Sequence, residues 1–514
     1  MTPITRRQAL ACGALALPLV NAANAVADDP TDAEIAKLVN QALKAWEVPG
    51  VAVGIVRAGW VVHLAGYGVR QLGGKDPVTP ESLFPIASCT KAFTTTAMAM
   101  LVGQGKMGWD DSVRNYLEYF RLADPSADRL VTLRDLVCHR TGLGSHDLLW
   151  YRAAWGQREA VRRIGRVAPS QQFRSSFQYQ TTMVAAAGYA VEAVLAQDKT
   201  CKEKTWEDFV REKILRPLGM KRTYCTTAEA LKQGDIATPH RENPQEVLKP
   251  IEWYVMKEAD PAGSIVSCAR DLCQWALFHL RQGKVEQNGK EVQLVLPLAL
   301  AVTHSPQNII PLDGIDQRLN PETDHMAYCM GWVRHDYRGR LLLAHSGAID
   351  GFRAHIKLAP KENLGIVLLN NRQGTEMNTA LGYTLLDRIL KLEPHIDWNE
   401  RTGKVTKMRD AIIKQRSQAR ETDRLRNTKP SLPISAYAGS YLEPAFGLSR
   451  VTVENDQLVW SWSTFKCPLE HYHFDTFIAK SELLNDPFVS FGLGLDGTVA
   501  TVNAVERYFI RVKE

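Results

Sequence analysis

Three segments past the middle of the chain, RLLLAHSG (340–347), FRAHIKLAP (352–360) and LGIVLLNN (364–371), are rich in apolar and β-branched residues and are joined by short turns. They read as consecutive strands. A hairpin of the same texture stands far earlier, GVAVGIVRAG and WVVHLAGYGV (50–69) around a glycine turn. Just before it, PTDAEIAKLVNQALKAW sets Thr31 and Glu34 in capping-box spacing ahead of apolar residues at helical period, which marks a first helix. With helices at both ends of this region and several in the middle, the pattern predicts an α+β fold, an antiparallel sheet flanked by helices with an all-helical lobe.

The texture changes at the far end. Residues 397–431 are charge-rich and run into PSLP, which places a linker there. Residues 432–514 hold short strands and turns with almost no helical period, so a small β module, a barrel or sandwich, is expected. Two folded domains, 28–396 and 432–514, suit a chain of 514 residues, longer than one hydrophobic core usually spans.

The start of the chain predicts export. Residues 1–27 join Arg6 and Arg7 to an apolar run and then to small residues, AANAVA, and TRRQAL (5–10) looks like a twin-arginine signal. A periplasmic or secreted protein follows, with no integral membrane segment once the signal is cleaved. A lipoprotein reading through Cys12 is weaker, because that cysteine lies inside the apolar run. Lysine and arginine number 62 against 56 acidic residues, interspersed, so no electrostatic footprint for nucleic acid exists. Cleavage would leave eight cysteines, whose spacing resembles no metal site; an oxidising compartment permits disulfides, but most of them suit buried thiols.

ESLFPIASCTKAFTT (81–95) carries the chemistry. A Ser-x-x-Lys pair arises by chance about twice in a chain of this length, and this chain has two. The second, Ser463 to Lys466 within LVWSWSTFK, falls in an alternating strand pattern, where residues three apart point to opposite faces. Ser88 instead stands just after a proline-containing turn, and no helix breaker follows until Gly103. On that helix Lys91 shares a face with Ser88, and the positive helix terminus favours developing negative charge. A nucleophilic serine needs such a neighbouring amine to take its proton. On these residues alone, a capped helix with a solvated lysine is the commoner outcome.

Other segments shift that balance. FRSSFQYQTTMVAAAGYAVEAVL places Tyr179 just before a long helical run, and LLLAHSGAIDGF puts His345-Ser346-Gly347 at the end of a strand. Together with LVCHRTGLGSHD and AGSIVSCARDL, these residues resemble the class C β-lactamase-like serine hydrolases over about Ile35 to Leu392. The trailing module looks like the lipocalin-like domain appended to members of that family. The resemblance implies Ser88 as acylated nucleophile, Lys91 as the lysine that accepts or shuttles its proton, and Tyr179 as partner base and proton donor to the leaving group. It implies His345, Ser346, Gly347 and Ala348 on the strand lining the site, with the N–H groups of Ser88 and Ala348 as oxyanion donors. No cofactor is implied.

Two departures from the family pattern matter. Tyr179-Gln180-Thr181 stands where Tyr-x-Asn is common, so Thr181 replaces a group that recognises an acyl amide. His345 replaces the lysine that binds a substrate carboxylate; a mostly neutral imidazole would donate only a hydrogen bond. Both argue against an efficient β-lactamase. The expected function is an exported serine hydrolase acting through an acyl-enzyme on a small ester or amide. Alternatives are a D-aminopeptidase or D,D-carboxypeptidase, a weak β-lactamase, and, in another class, a penicillin-binding sensor or inert binding protein. His139 reads as a structural histidine bonded to a turn, and Trp460 and Trp462 as packing. His146 and Asp147 invite a metal, but adjacent residues point apart and no third ligand offers itself.

Overall fold

The structure, a computed structural model, describes residues 29–256 and 258–513. The export signal expected over residues 1–27 lies outside the described residues. The first described helix, α1 (Asp32–Ala45), starts on the predicted capping box: the Thr31 hydroxyl accepts from the Glu34 N–H, and the Glu34 carboxylate accepts from the Thr31 N–H.

The five strands read from sequence all form, within one eight-stranded sheet. The early hairpin is β1 (Gly50–Arg57) and β2 (Trp60–Gly68). Helices α2 (Thr90–Gly103), α3 (Thr181–Gln197) and α4 (Ala269–Leu280) follow. The chain then re-enters the sheet through β3 (Asn308–Ile309), β4 (Met326–Tyr328), β5 (Val333–Tyr337), β6 (Arg340–Ile349), β7 (Phe352–Ala359) and β8 (Leu364–Asn370). Strand order is β2-β1-β8-β7-β6-β5-β4-β3, antiparallel throughout.

Side chains alternate across this sheet and feed two cores. Val51, Val53 and Ile55 of β1 join Ile366 and Leu368 of β8 on the face covered by α1 and by α5 (Met377–Ile389). Ala52 and Val56 join Val367 and Leu369 on the opposite face, under α4 and the helical lobe. Because both faces are covered, β1 and β8 read as continuous apolar runs rather than as an alternation.

The stretch expected as a charged linker is largely helical. Most of it is α6 (Trp398–Thr422), and its first turn docks on the core beneath α1 and α5. Trp398 is buried and donates from Nε1 to the Asp387 carboxylate at 2.8 Å, and the same carboxylate accepts from the Tyr337 hydroxyl. Burying one large aromatic anchors the helix start, while the remaining turns present charge to solvent.

The β module is a closed, eight-stranded barrel running from Gly439–Glu443 to Arg507–Val512, each strand pairing with the next. Its interior is filled by side chains such as Tyr441, Trp460, Phe477 and Phe491. Trp460 and Trp462 are packing residues, each buried with its indole N–H donating, to the Ser449 hydroxyl and the Phe446 carbonyl. The barrel abuts the helical lobe: Arg166 donates to the Pro444 carbonyl, Trp155 faces Trp462, and Arg507 contacts His146. All eight cysteines among the described residues are free thiols, seven of them buried.

Candidate active site

Ser88 sits in a single turn of 3-10 helix, Ala87–Cys89, that leads into α2. Ala87 has φ 45°, in the left-handed region, which costs an alanine ~1–2 kcal/mol. Strain of this kind is kept where it holds a reactive side chain in place. One helical turn on, the Lys91 side chain is fully buried, and its Nζ donates to Ser88 Oγ at 2.9 Å and to the Ala262 carbonyl at 2.9 Å.

The loop supplying Ala262 is pinned to the same helix face. Thr94 donates to the Pro261 carbonyl and the Ile265 N–H donates to Thr90. Residues 90, 91 and 94 lie on one side of α2, so helical periodicity alone sets three anchors for the AGSI segment.

Tyr179 precedes α3 and reaches the same spot. The Lys91 ammonium lies 5.1 Å from the centre of its ring. The His139 ring packs at a tilt of 34° against Tyr179, with ring centres 4.2 Å apart, and His139 Nδ1 accepts from the Gln180 N–H at 3.0 Å. His139 is thus structural, as expected, but what it holds is the Tyr179 loop. Gln180 closes that loop by donating to the Gly144 and Ser145 carbonyls and accepting from Thr182. Thr181, buried at the first position of α3, borders the pocket beside it.

Strand β6 forms the opposite wall. Strand β5 pairs with β6 only as far as Ala344, so residues 345–349 continue with one edge free of a strand neighbour. Gly347 passes so close to the nucleophile turn that a Cβ there would lie 2.0 Å from the Ile86 carbonyl oxygen. The His345-Ser346-Gly347 segment therefore needs its glycine for close approach. The result brings Ser88 and Ala348 to the rim of one cavity of ≈340 Å³, with Asp147, Trp150, Phe177 and Tyr179.

His345 behaves differently from the expected free donor. Its Nδ1 lies 2.7 Å from the Ser346 carbonyl, which can only accept, so Nδ1 carries the proton. Nε2 then accepts from the Tyr328 hydroxyl at 3.1 Å. Burial pushes its pKa down to about 3, and the Lys91 charge adds to the effect. His345 is neutral with both nitrogens engaged, and it offers a substrate carboxylate neither charge nor a spare N–H. His139 is likewise held well below its ordinary range by burial, then by Lys91 and His345.

Tyr328, Asp260 and Trp150 also border the pocket and were not singled out from sequence. Tyr328 lies in a three-residue strand that gives no periodic signal. Asp260 immediately precedes the recognised AGSI segment; it accepts from the Ala262 N–H, and burial raises its carboxyl above the ordinary range. The rival pair is not a pair. Ser463 falls in the turn between barrel strands, with φ 54°, rather than within a strand as expected, and its hydroxyl accepts from the Ala154 N–H. Lys466 points elsewhere, to Glu454 at 2.9 Å. His146 and Asp147 belong to no group of three or more metal-ligand residues among the described residues.

Comparison with known proteins is consistent with this geometry. A family profile described as Beta-lactamase matches residues 35–390, and a domain of unknown function, DUF3471, matches residues 423–510. An unguisins hydrolase of Aspergillus campestris is 30% identical over 434 residues, covering 81% of this chain and 77% of that protein. Another from Aspergillus violaceofuscus is 27% identical, covering 83% and 77%. The octameric penicillin-binding protein homologue of Pyrococcus abyssi shares the fold, with a TM-score of 0.59 over 93% of this chain and 99% of that one at 19% identity.

Proposed function

The chain belongs to the β-lactamase family of serine hydrolases, and from that premise we propose that it is an exported enzyme working through an acyl-enzyme on Ser88. The observation carrying this reading is the 2.9 Å contact between a fully buried Lys91 and Ser88 Oγ at the edge of an open pocket. Ser88 Oγ attacks the substrate carbonyl carbon while its proton passes to the Lys91 and Tyr179 pair, which reacts in the form that has given up one proton, as neutral amine or as phenolate. The carbonyl π electrons move to oxygen, and that oxyanion takes hydrogen bonds from the Ser88 and Ala348 N–H groups. Collapse breaks the bond to the leaving alcohol or amine, which receives its proton from Tyr179. Water then cleaves the acyl-serine, giving its proton to the same pair and returning Ser88 to its hydroxyl form.

The preferred substrate is a small neutral ester or amide. A neutral His345 with both nitrogens occupied gives a β-lactam carboxylate no counter-charge, and the cavity of ≈340 Å³ suits a compact acyl group. Similarity to two hydrolases favours turnover over a sensor or inert binder. Purified protein is therefore expected to turn over p-nitrophenyl butyrate steadily and faster than nitrocefin. A stoichiometric burst that stops would instead assign a penicillin-binding sensor. Faster nitrocefin hydrolysis would assign a β-lactamase.

A further inference from the structure

The reverse side of β6 walls a second cavity, of ≈320 Å³, which borders the first along Val333, His345, Ser346 and Ala348 and is otherwise lined by residues the reaction above does not use. The register decides what faces it. Ala344, Ser346 and Ala348 of β6 stand opposite Lys357, His355 and Arg353 of β7, so three basic side chains line up on one face at alternate positions of one strand. His335 of β5 lies on that face too, opposite Leu342. Helix α5 roofs the cavity with Asn378, Thr379 and Tyr383.

Lys357 is 3% exposed, and its ammonium rests 4.2 Å from the centre of the Tyr383 ring. Among the described residues, no carboxylate forms an ion pair with it. Glu376, at the cavity mouth, is engaged by Arg409 at 3.2 Å and by Thr379 at 3.1 Å. Space for the lysine is built in: a Cβ on Gly382 would come 2.7 Å from Lys357 Cε. His335 is 4% exposed, and neither ring nitrogen has a hydrogen-bond partner among the described residues. A buried ammonium and a buried imidazole without oxygen partners are each costly, and one bound oxyanion satisfies both.

We propose that this cavity binds a small oxyanion, a carboxylate or a phosphate group, through Lys357, Arg353 and His335. The site lies behind the catalytic strand and is independent of the assignment of Ser88. Burial holds Lys357 down at about 7, so an arriving anion draws in a proton. Arg353, His335, His355 and, from α6, Arg409 oppose that proton, whereas Glu376 and Asp316 at the mouth favour it.

The test uses the full chain, titrated with inorganic phosphate and separately with acetate, each against chloride at matched ionic strength. At least one oxyanion should bind and raise Tm beyond chloride, with proton uptake near pH 7 read by calorimetry in two buffers of different ionisation enthalpy. A response to phosphate alone assigns a tetrahedral ligand, and one to acetate alone a planar carboxylate. Lys357→Met should raise the ligand-free Tm, by removing an unpaired buried charge, and weaken anion binding at least tenfold. His335→Gln, read the same way with a smaller loss, serves if Lys357→Met does not fold. The proposal is overturned if neither anion exceeds chloride, so that the cavity holds only water. Equal binding by variant and wild type, or binding without proton uptake, would equally overturn it by placing the anion elsewhere.

Discussion

Ser88 to Lys91 and Ser463 to Lys466 share a spacing in two regions of the molecule, and their surroundings differ in every respect that matters for chemistry. In the hydrolase domain the serine opens a helix, the lysine is fully buried, and nitrogen meets oxygen at 2.9 Å. In the barrel the serine occupies a turn and bonds a backbone amide, while the lysine side chain is 63% exposed and pairs with a glutamate. Helical rise puts i and i+3 on one face, whereas a turn entering a strand sends them apart. A serine and a lysine come into contact through shared face and burial, and the motif spacing is only the precondition for the catalytic pair proposed at Ser88 and Lys91.

Breaking each pair in turn tests that lesson. Ser88→Ala should abolish fluorophosphonate labelling and lower kcat/KM for a p-nitrophenyl ester by roughly 10⁴-fold or more, as loss of a nucleophile does elsewhere. Ser463→Ala should leave both within twofold. Persistent labelling of Ser88→Ala would falsify the assignment. Next in size, Lys91→Met should cost about 10²–10⁴-fold in kcat, the range for a proton carrier, against no measurable change for Lys466→Met. Equal effects from the two lysines would remove the distinction drawn here.

Gly347→Ala is expected to follow. Its Cβ would collide with the Ile86 carbonyl, so β6 or the Ser88 turn must shift, at ~1–3 kcal/mol of stability. Moving the Ala348 N–H should lower kcat by about 10²–10³-fold with a smaller change in KM. Full kcat in that variant would show that β6 does not carry an oxyanion donor.

The smallest effect concerns acid. His345 and His335, both in the hydrolase domain, are held near 3 by burial, and His304 near 4, against an ordinary 6.5. Between those values the unfolded chain binds more protons than the folded one, so stability is complete above about pH 6.5 and declines as pH falls toward 4. The urea midpoint of activity should therefore drop between pH 7 and 5, and His304→Gln should make the drop shallower. A midpoint independent of pH over that range would show that these histidines are not buried neutral.

Much of the molecule was legible in local pattern. The Thr31 and Glu34 capping box, the five apolar strands and the barrel's short alternating strands each follow from neighbours within a few residues, where hydrogen-bonding geometry is decided. Ser88 at a helix start and Tyr179 ahead of one were legible for the same reason, and family resemblance joined them. Residues 398–422 were not legible as a helix because a solvated helix carries the same charge density as an irregular linker, and the anchoring contact, Trp398 on Asp387, is tertiary.

The sequence by itself determined the five apolar strands and the first helix, the change of texture toward the barrel, and which three residues, Ser88, Lys91 and Tyr179, make up the proposed reactive trio. Only tertiary structure decided how that trio is held: Ala262 on Lys91, His139 under Tyr179, and β6 against the nucleophile turn at Gly347. It alone decided that His345 is spent on Tyr328 and Ser346, and that Lys357 is buried against the Tyr383 ring with no carboxylate ion-paired to it among the described residues. The physical reason is range. Backbone hydrogen bonds and side-chain periodicity are set by residues near in sequence, whereas burial, proton affinity and the lining of a cavity depend on groups that the chain brings together from hundreds of positions apart.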